Sequence, residues 1–252
     1  MLWIRRVDVR GIRSSAQILG CSRDKCPNRE SRHAKSSLCI TDMELLEAIR
    51  SRRSVKKYDP THELTDDEVR YIVRCASLAP TSFNMQNWQF VAVRDKAQKE
   101  ALCKAAWNQE QVKDAALVLV IAGDLKAFED TSRTLRDAPV ELQSMFDGMI
   151  KQFYSENESL NLQEACRSVG FAGQNVMLAA REMGYDTCAM IGYDPKGVSG
   201  ILELPDHLPP LLMITLGRAL EPARQRWGLP DLGEVLSLDK FGARGITGPV
   251  EG

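Results

Sequence analysis

The 252-residue chain is long enough to bury one sizeable core, and no internal repeat or Gly/Ser-rich linker argues for dividing it. Its 33 Lys and Arg balance 34 Asp and Glu, and a formal net charge of −1 gives no electrostatic basis for nucleic-acid binding. No apolar run approaches the roughly 18 residues that span a bilayer. The cysteines, odd in number and irregularly spaced, suit reduced thiols in a cytosolic protein better than a disulfide framework.

Residues 1–42 are rich in Lys and Arg and show no sustained apolar period. They read as a disordered extension, with residues 43–252 as the folded domain and Met43 as its expected beginning. Arg5-Arg6 has no apolar stretch behind it, which argues against export. Cys21, Cys26, His33 and Cys39 match no standard zinc spacing. The first predicted helix runs from Met43 to Arg50, where Leu45, Leu46 and Ile49 recur at helical spacing. It leads into Arg52-Arg53-Ser54-Val55-Lys56-Lys57-Tyr58. Guanidinium forks grip phosphate bidentately, a serine hydroxyl can donate to a phosphate or sugar oxygen, and lysine adds a mobile charge. A basic run on its own is more often a solvated surface, so its meaning rests on the company it keeps.

The second predicted helix, Asp66 to Leu78, opens on the capping-box spacing of Thr65 and Glu68 and is stopped by Pro80. Val69, Ile72, Val73 and Ala76 form its apolar side. A polar loop follows, with Thr81, Ser82 and the amides Asn84, Gln86, Asn87 and Gln89, before a strand over Phe90 to Val93. Amides carry both a donor and an acceptor and can match the edge of a heterocycle, or simply bond within their own loop. A helix over Asp95 to Ala106 precedes Ala116 to Ala122, an apolar run of strand length expected to be covered on both faces. A helix from about 138 to 153 and a polar break at 155–159 lead to a long helix from about Leu162 to Met183. Its small residues Gly170, Ala172, Gly173, Ala179 and Ala180 fit a dimer seam or ordinary core packing equally well. Gly184 ends it, and strands at Tyr185 to Ile191 and Leu211 to Leu216 flank a short helix near Pro195 to Leu202. The pattern is α+β, without a dinucleotide-binding glycine fingerprint or a P-loop. His33, His62 and His207 are the only histidines, and no nucleophile–base set emerges.

In this order the segments resemble the flavin-dependent nitroreductase family. Arg52 to Tyr58 matches its Arg-[Arg/His]-Ser-x-[Arg/Lys]-x-[Phe/Tyr] motif, and Ala79 to Trp88 its Ala-Pro-[Ser/Thr]-x-x-Asn-x-Gln-x-Trp segment. Trp107 to Ala115 looks like its Asn-containing turn, and Ala189 to Pro195 like its Gly-[Phe/Tyr]-Asp loop. Leu211 to Arg218, then Arg226-Trp227-Gly228-Leu229-Pro230, are similar to its finish. The resemblance spans about Met43 to Phe241.

It implies a mixed, mainly antiparallel sheet flanked by helices, in an intertwined homodimer with FMN at the subunit interface. NAD(P)H would be the donor and a nitroaromatic or quinone the acceptor, in a ping-pong reaction that needs no catalytic side chain. Arg52, Ser54 and Lys56 would hold the phosphate and ribityl chain, with Arg53 close by. Arg224 or Arg226, the latter favoured, would complete the phosphate site. Asn108 and Gln111 would approach the pyrimidine edge. Thr81, Ser82, Asn84 and Gln86 would reach the flavin from the partner subunit, and the backbone of Met190, Ile191 and Gly192 would lie near N5. Ile191 stands where some members carry Glu. Phe83, Trp107, Phe146, Phe153 and Tyr154 are candidates to line an acceptor pocket. The alternatives are a flavin reductase or dehalogenase-like relative, and a flavin-binding sensor without turnover.

Overall fold

The computed structural model describes residues 43–243 and 245–248. The readings of an N-terminal extension and of no zinc site within it lie outside the described residues. The helices are α1 (Leu45–Ser51), α2 (Asp66–Ala76), α3 (Lys96–Ala105), α4 (Gln111–Asp114), α5 (Val140–Ser155), α6 (Glu158–Glu182), α7 (Pro195–Ile201) and α8 (Leu232–Val235). The strands are β1 (Trp88–Val93), β2 (Leu117–Gly123), β3 (Asp186–Met190) and β4 (Pro210–Gly217). They form one sheet in the order β1-β2-β4-β3, and every ladder is antiparallel. The parallel component of the expected mixed sheet is an isolated bridge between Ser54 and Thr187.

Period-two alternation divides the core between the two faces of this sheet. Leu117, Leu119 and Ile121 of β2 pack with Ile214 and Leu216 of β4 against α2 and α6. Val118 and Val120 turn the other way, with Met213, onto α3, α7 and the segment that carries Val55 and Tyr58. Every residue of β2 is therefore buried, which is why its sequence is continuously apolar. Burying one such side chain fully is worth about 1.5–3 kcal/mol.

Element boundaries moved for identifiable reasons. β1 begins at Trp88, two residues before the predicted strand, because Trp88 pairs with Gly123. The helix break after α5 narrows to Glu156 and Asn157. Thr65 accepts from the Glu68 N–H at 3.3 Å while the Glu68 carboxylate accepts from the Thr65 N–H at 2.8 Å, so the capping box forms as read. Of the small residues of α6, Ala172, Gly173, Ala179 and Ala180 are buried, Ala172 and Ala180 in the core against the sheet, while Gly170 is exposed. A Cβ on Gly173 would stand 2.4 Å from Leu212 Cδ2, and one on Gly123 would stand 2.8 Å from Ala165 Cβ. The helix lies on the strands at a distance that only small side chains permit.

Tyr58 fixes the segment after α1. Its ring is buried and packs over Gly217, where a Cβ would come within 3.2 Å of Tyr58 Cδ1. Its hydroxyl reaches the Thr215 carbonyl at 3.2 Å and lies 3.1 Å from Thr215 Oγ1. Burial drives the phenol pKa up, so it stays neutral throughout the accessible pH range. Tyr58→Phe is expected to lower unfolding free energy by about 1 kcal/mol, the usual net value of such a bond. Urea denaturation should show a lower midpoint with an unchanged slope; an unchanged midpoint would mean the ring alone anchors the segment.

Candidate functional site

The chain leaving α1 runs extended and is held from both sides. Val55 N–H donates to the Thr187 carbonyl of β3 at 3.0 Å. On the other side Asp59 N–H donates to the Arg218 carbonyl at 2.9 Å, and Leu220 N–H donates to the Lys57 carbonyl at 3.0 Å. Val55 and Tyr58 point into the core, while Ser54 and Lys56 are exposed. In an extended chain alternate residues share a side, so Ser54 and Lys56 lie with Arg52 in one polar row opposite Val55, an alternation that ends at Lys57, which is exposed, and Tyr58, which is buried. This accounts for the spacing of the motif.

The clamp also draws the chain beyond β4 against the row. Lys57 forms an exposed ion pair with Glu221 at 2.8 Å, of the kind worth at most about 1 kcal/mol. Further on, Arg226 comes close enough to Arg52 to act on it: burial, then the Arg226 and Arg53 charges, lower the Arg52 pKa. Among the described residues no carboxylate forms an ion pair with Arg52, Arg224 or Arg226. Arg53 is differently occupied, donating to the Arg50 and Arg52 carbonyls at 2.5 and 2.9 Å at the C-terminus of α1. A half-buried guanidinium within range of two further cations, and in no ion pair among the described residues, is an electrostatic deficit that an anion would fill.

The other end of β3 emerges as Met190-Ile191-Gly192. Asp194 N–H donates to the Ala105 carbonyl at 2.8 Å, and the Gln109 side chain donates to the Gly192 carbonyl at 2.8 Å. Gln111, expected at a cofactor edge, is buried: its Nε2 donates to Gln109 Oε1 at 2.9 Å and contacts Met190 Sδ at 3.6 Å. The geometry gives it the task of orienting Gln109, a residue the sequence reading did not single out. The only advance signal was its place two residues before Gln111 in the same turn. Trp107 and Asn108 are exposed and left-handed, with φ of 54° and 58°. Trp107 lies over Gly192, where a Cβ would stand 3.3 Å from Cζ3. The N–H of Gly192 donates to no group among the described residues.

The amide loop lies elsewhere. It leads into β1, at the opposite sheet edge from β3, so three inter-strand steps of about 4.8 Å put it roughly 14 Å from the Gly192 turn. Phe83, Asn84 and Gln86 all take positive φ. Gln86 N–H donates to Thr81 Oγ1 at 3.0 Å, and the Ser82 hydroxyl accepts from Tyr154 at 2.8 Å. Of the aromatic candidates, Phe83 and Phe146 line one cavity beside this loop, Tyr154 is buried beneath it, and Trp107 stands at the other edge. One protomer thus brings Arg52, Ser54, Arg226 and the Gly192 turn together along β3, and keeps Thr81 to Gln86 apart from them.

The sequence model of the nitroreductase family matches residues 49–218, most of the chain. The chain belongs to the nitroreductase family. The family's span begins in α1 and closes at the end of β4, so Arg224 and Arg226 lie beyond it. DrgA of Synechocystis sp. is 40% identical over 204 residues, 79% of this chain and 97% of its own. A Thermus thermophilus protein named NADH dehydrogenase is 30% identical over 194 residues, 71% of this chain and 88% of its own. Among solved structures, an Exiguobacterium sibiricum protein in complex with FMN matches with a TM-score of 0.71 at 27% identity, covering 78% of this chain and 98% of that one.

Gln109→Ala removes the side-chain donor to Gly192 and strands the Gln111 amide. The expected result is a loss of about 1–2 kcal/mol and faster amide exchange over residues 190–194. Exchange that stays at the wild-type rate would assign the turn's order to backbone contacts alone.

Proposed function

We propose that the protein is an FMN-dependent oxidoreductase that works as a homodimer, taking a hydride from NAD(P)H and delivering it to a nitroaromatic, quinone or similar acceptor. One observation carries the reading: Arg52, at the head of the strand that presents Gly192, forms no ion pair among the described residues and lies within range of the Arg226 charge, which lowers its pKa after burial does. A phosphate fits that deficit, since a dianion needs more than one cation. The row of Arg52, Ser54 and Lys56, closed by Arg226, would grip it. Neither Trp107 nor Gln109, the side chains on Gly192, titrates near neutrality. When bound, FMN supplies two-electron redox chemistry at its N5 position. The unused Gly192 N–H would be the chain's donor towards that atom, and protons for the reduced acceptor would come from solvent.

The layout of the sheet supports the homodimer reading. The amide loop and the cation row sit at opposite edges, so the loop of one protomer would serve the flavin held by its partner. Thr81, Ser82, Asn84 and Gln86 would act in that way, while Asn108 remains the exposed amide on the flavin-holding protomer. Apolar side chains left in water support the association: Leu45 and Leu46 of α1, Phe171 of α6, and Trp227, Phe241 and Ile246 towards the C-terminus. No helix among the described residues is long and apolar enough to cross a membrane.

The purified protein should elute as a dimer and carry a flavin spectrum that NADPH bleaches and a nitroaromatic restores. Arg52→Gln and Arg226→Gln should each weaken FMN retention by tenfold or more, about 1.4 kcal/mol. Yellow protein that NAD(P)H does not bleach would favour a binding role without turnover. A colourless protein that takes up no added FMN would overturn the proposal.

A further inference from the structure

Beside the amide loop is a cavity of about 810 Å³ whose composition is lopsided. Its floor is apolar, made by Phe83, Leu142, Phe146 and Ile150. Its rim carries three guanidinium groups, Arg74, Arg133 and Arg136, against one carboxylate, Asp137. Whole-chain charge does not explain this, because the chain is almost neutral. Among the described residues none of the three arginines forms an ion pair. The nearby Asp147 carboxylate is already taken by the Thr131 hydroxyl at 2.5 Å and by Lys151 at 2.9 Å.

The rim is a fixed part of the fold. Arg133 donates through Nη2 to the Gln86 carbonyl at 2.5 Å, and the Thr134 hydroxyl donates to the Met85 carbonyl at 3.4 Å. Leu135 N–H donates to the Thr131 carbonyl at 2.8 Å, and the Gln143 side chain donates to the Ala138 carbonyl at 2.9 Å, tying the same stretch to α5. Arg133 and Arg136 are thereby carried on a segment bonded directly to the loop that would cover the partner's flavin, and Arg74 reaches the cavity from α2. Single-bond use leaves most of the Arg133 fork open. Arg136 makes no hydrogen bond and no ion pair among the described residues, although it also lines a neighbouring cavity with Asp130 and Asp147.

We infer that this cavity is a selectivity site for ligands that carry an oxyanion on a flat aromatic or heteroaromatic body. The flat body packs on the Phe83 and Phe146 side and the oxyanion meets the arginines, which bind carboxylate and phosphate in bidentate geometry. Two ligands of the reaction can supply that chemistry: the 2′-phosphate of NADPH, or a carboxylate on the acceptor. The inference rests on the function proposed above and specifies the substrates of that site.

The test compares matched pairs, NADPH with NADH and 4-nitrobenzoate with nitrobenzene, in the wild type and in Arg136→Gln and Arg74→Gln. These two are chosen over Arg133 because neither touches the amide loop by a hydrogen bond. For at least one pair, the ratio of kcat/KM for the charged member to that for the neutral member should fall about tenfold in each variant. The wild-type preference should also shrink as salt is raised. Whichever pair responds identifies the source of the oxyanion. Equilibrium binding of NADP⁺ against NAD⁺, and of 4-nitrobenzoate against nitrobenzene, by calorimetry repeats the comparison without turnover, so a protein without redox activity still answers. The proposal is overturned if neither ratio moves, if charged and neutral members lose equally, or if the variants alter the dimer's dissociation rather than ligand preference, which would make the arginines partners of a second subunit.

Discussion

The clamp on residues 54–59 is the constraint on which the cationic end of the molecule depends. One backbone bond ties Val55 to β3, two more tie Lys57 and Asp59 to the chain leaving β4, and Tyr58 is driven into the core between them. None of these contacts involves a charged side chain. They nonetheless set which way Ser54 and Lys56 point, because an extended chain with Val55 buried sends both outward. The same clamp brings a segment more than 160 residues distant in sequence alongside Arg52. Position is supplied by apolar burial and backbone pairing, and the arginines only use it.

The two halves of the candidate site are built on different principles. Along β3 the groups are rigid: a ladder strand, a glycine under an indole, and a relay of two glutamine amides. The loop from Thr81 to Gln86 departs from regular structure, with three non-glycine residues in the left-handed region. Each such residue costs of order 1 kcal/mol or more and persists only where neighbours enforce it. Here Thr81, Tyr154 and Arg133 do so, each through a bond to the loop.

Much of this was legible in the chain. The capping box at Thr65, the apolar run of β2 and the glycine stop at Gly184 carry their own local chemistry, and they appear where they were read. Both motifs were legible as well, since side-chain types at fixed spacing survive as sequence. Three things were not. The short helix α4 lacks the length to show a period. The inward aim of Gln111 depends on Met190, some eighty residues away. The direction of the small-residue face of α6 could not be chosen, because a seam and a core ask for the same small side chains, and only the position of Leu212 and Ala165 decides between them.

The influence of Arg226 on Arg52 has a consequence for the chain beyond β4. Its approach to the first motif is held by a few backbone bonds and an exposed ion pair, and the two guanidinium groups push against it. Any anion lodged between them reverses the sign of that local field and adds RT ln(1 + [L]/Kd) to the stability of the docked form. On the function proposed above, ligand occupancy and docking of the segment from Leu220 to Arg226 would therefore be coupled.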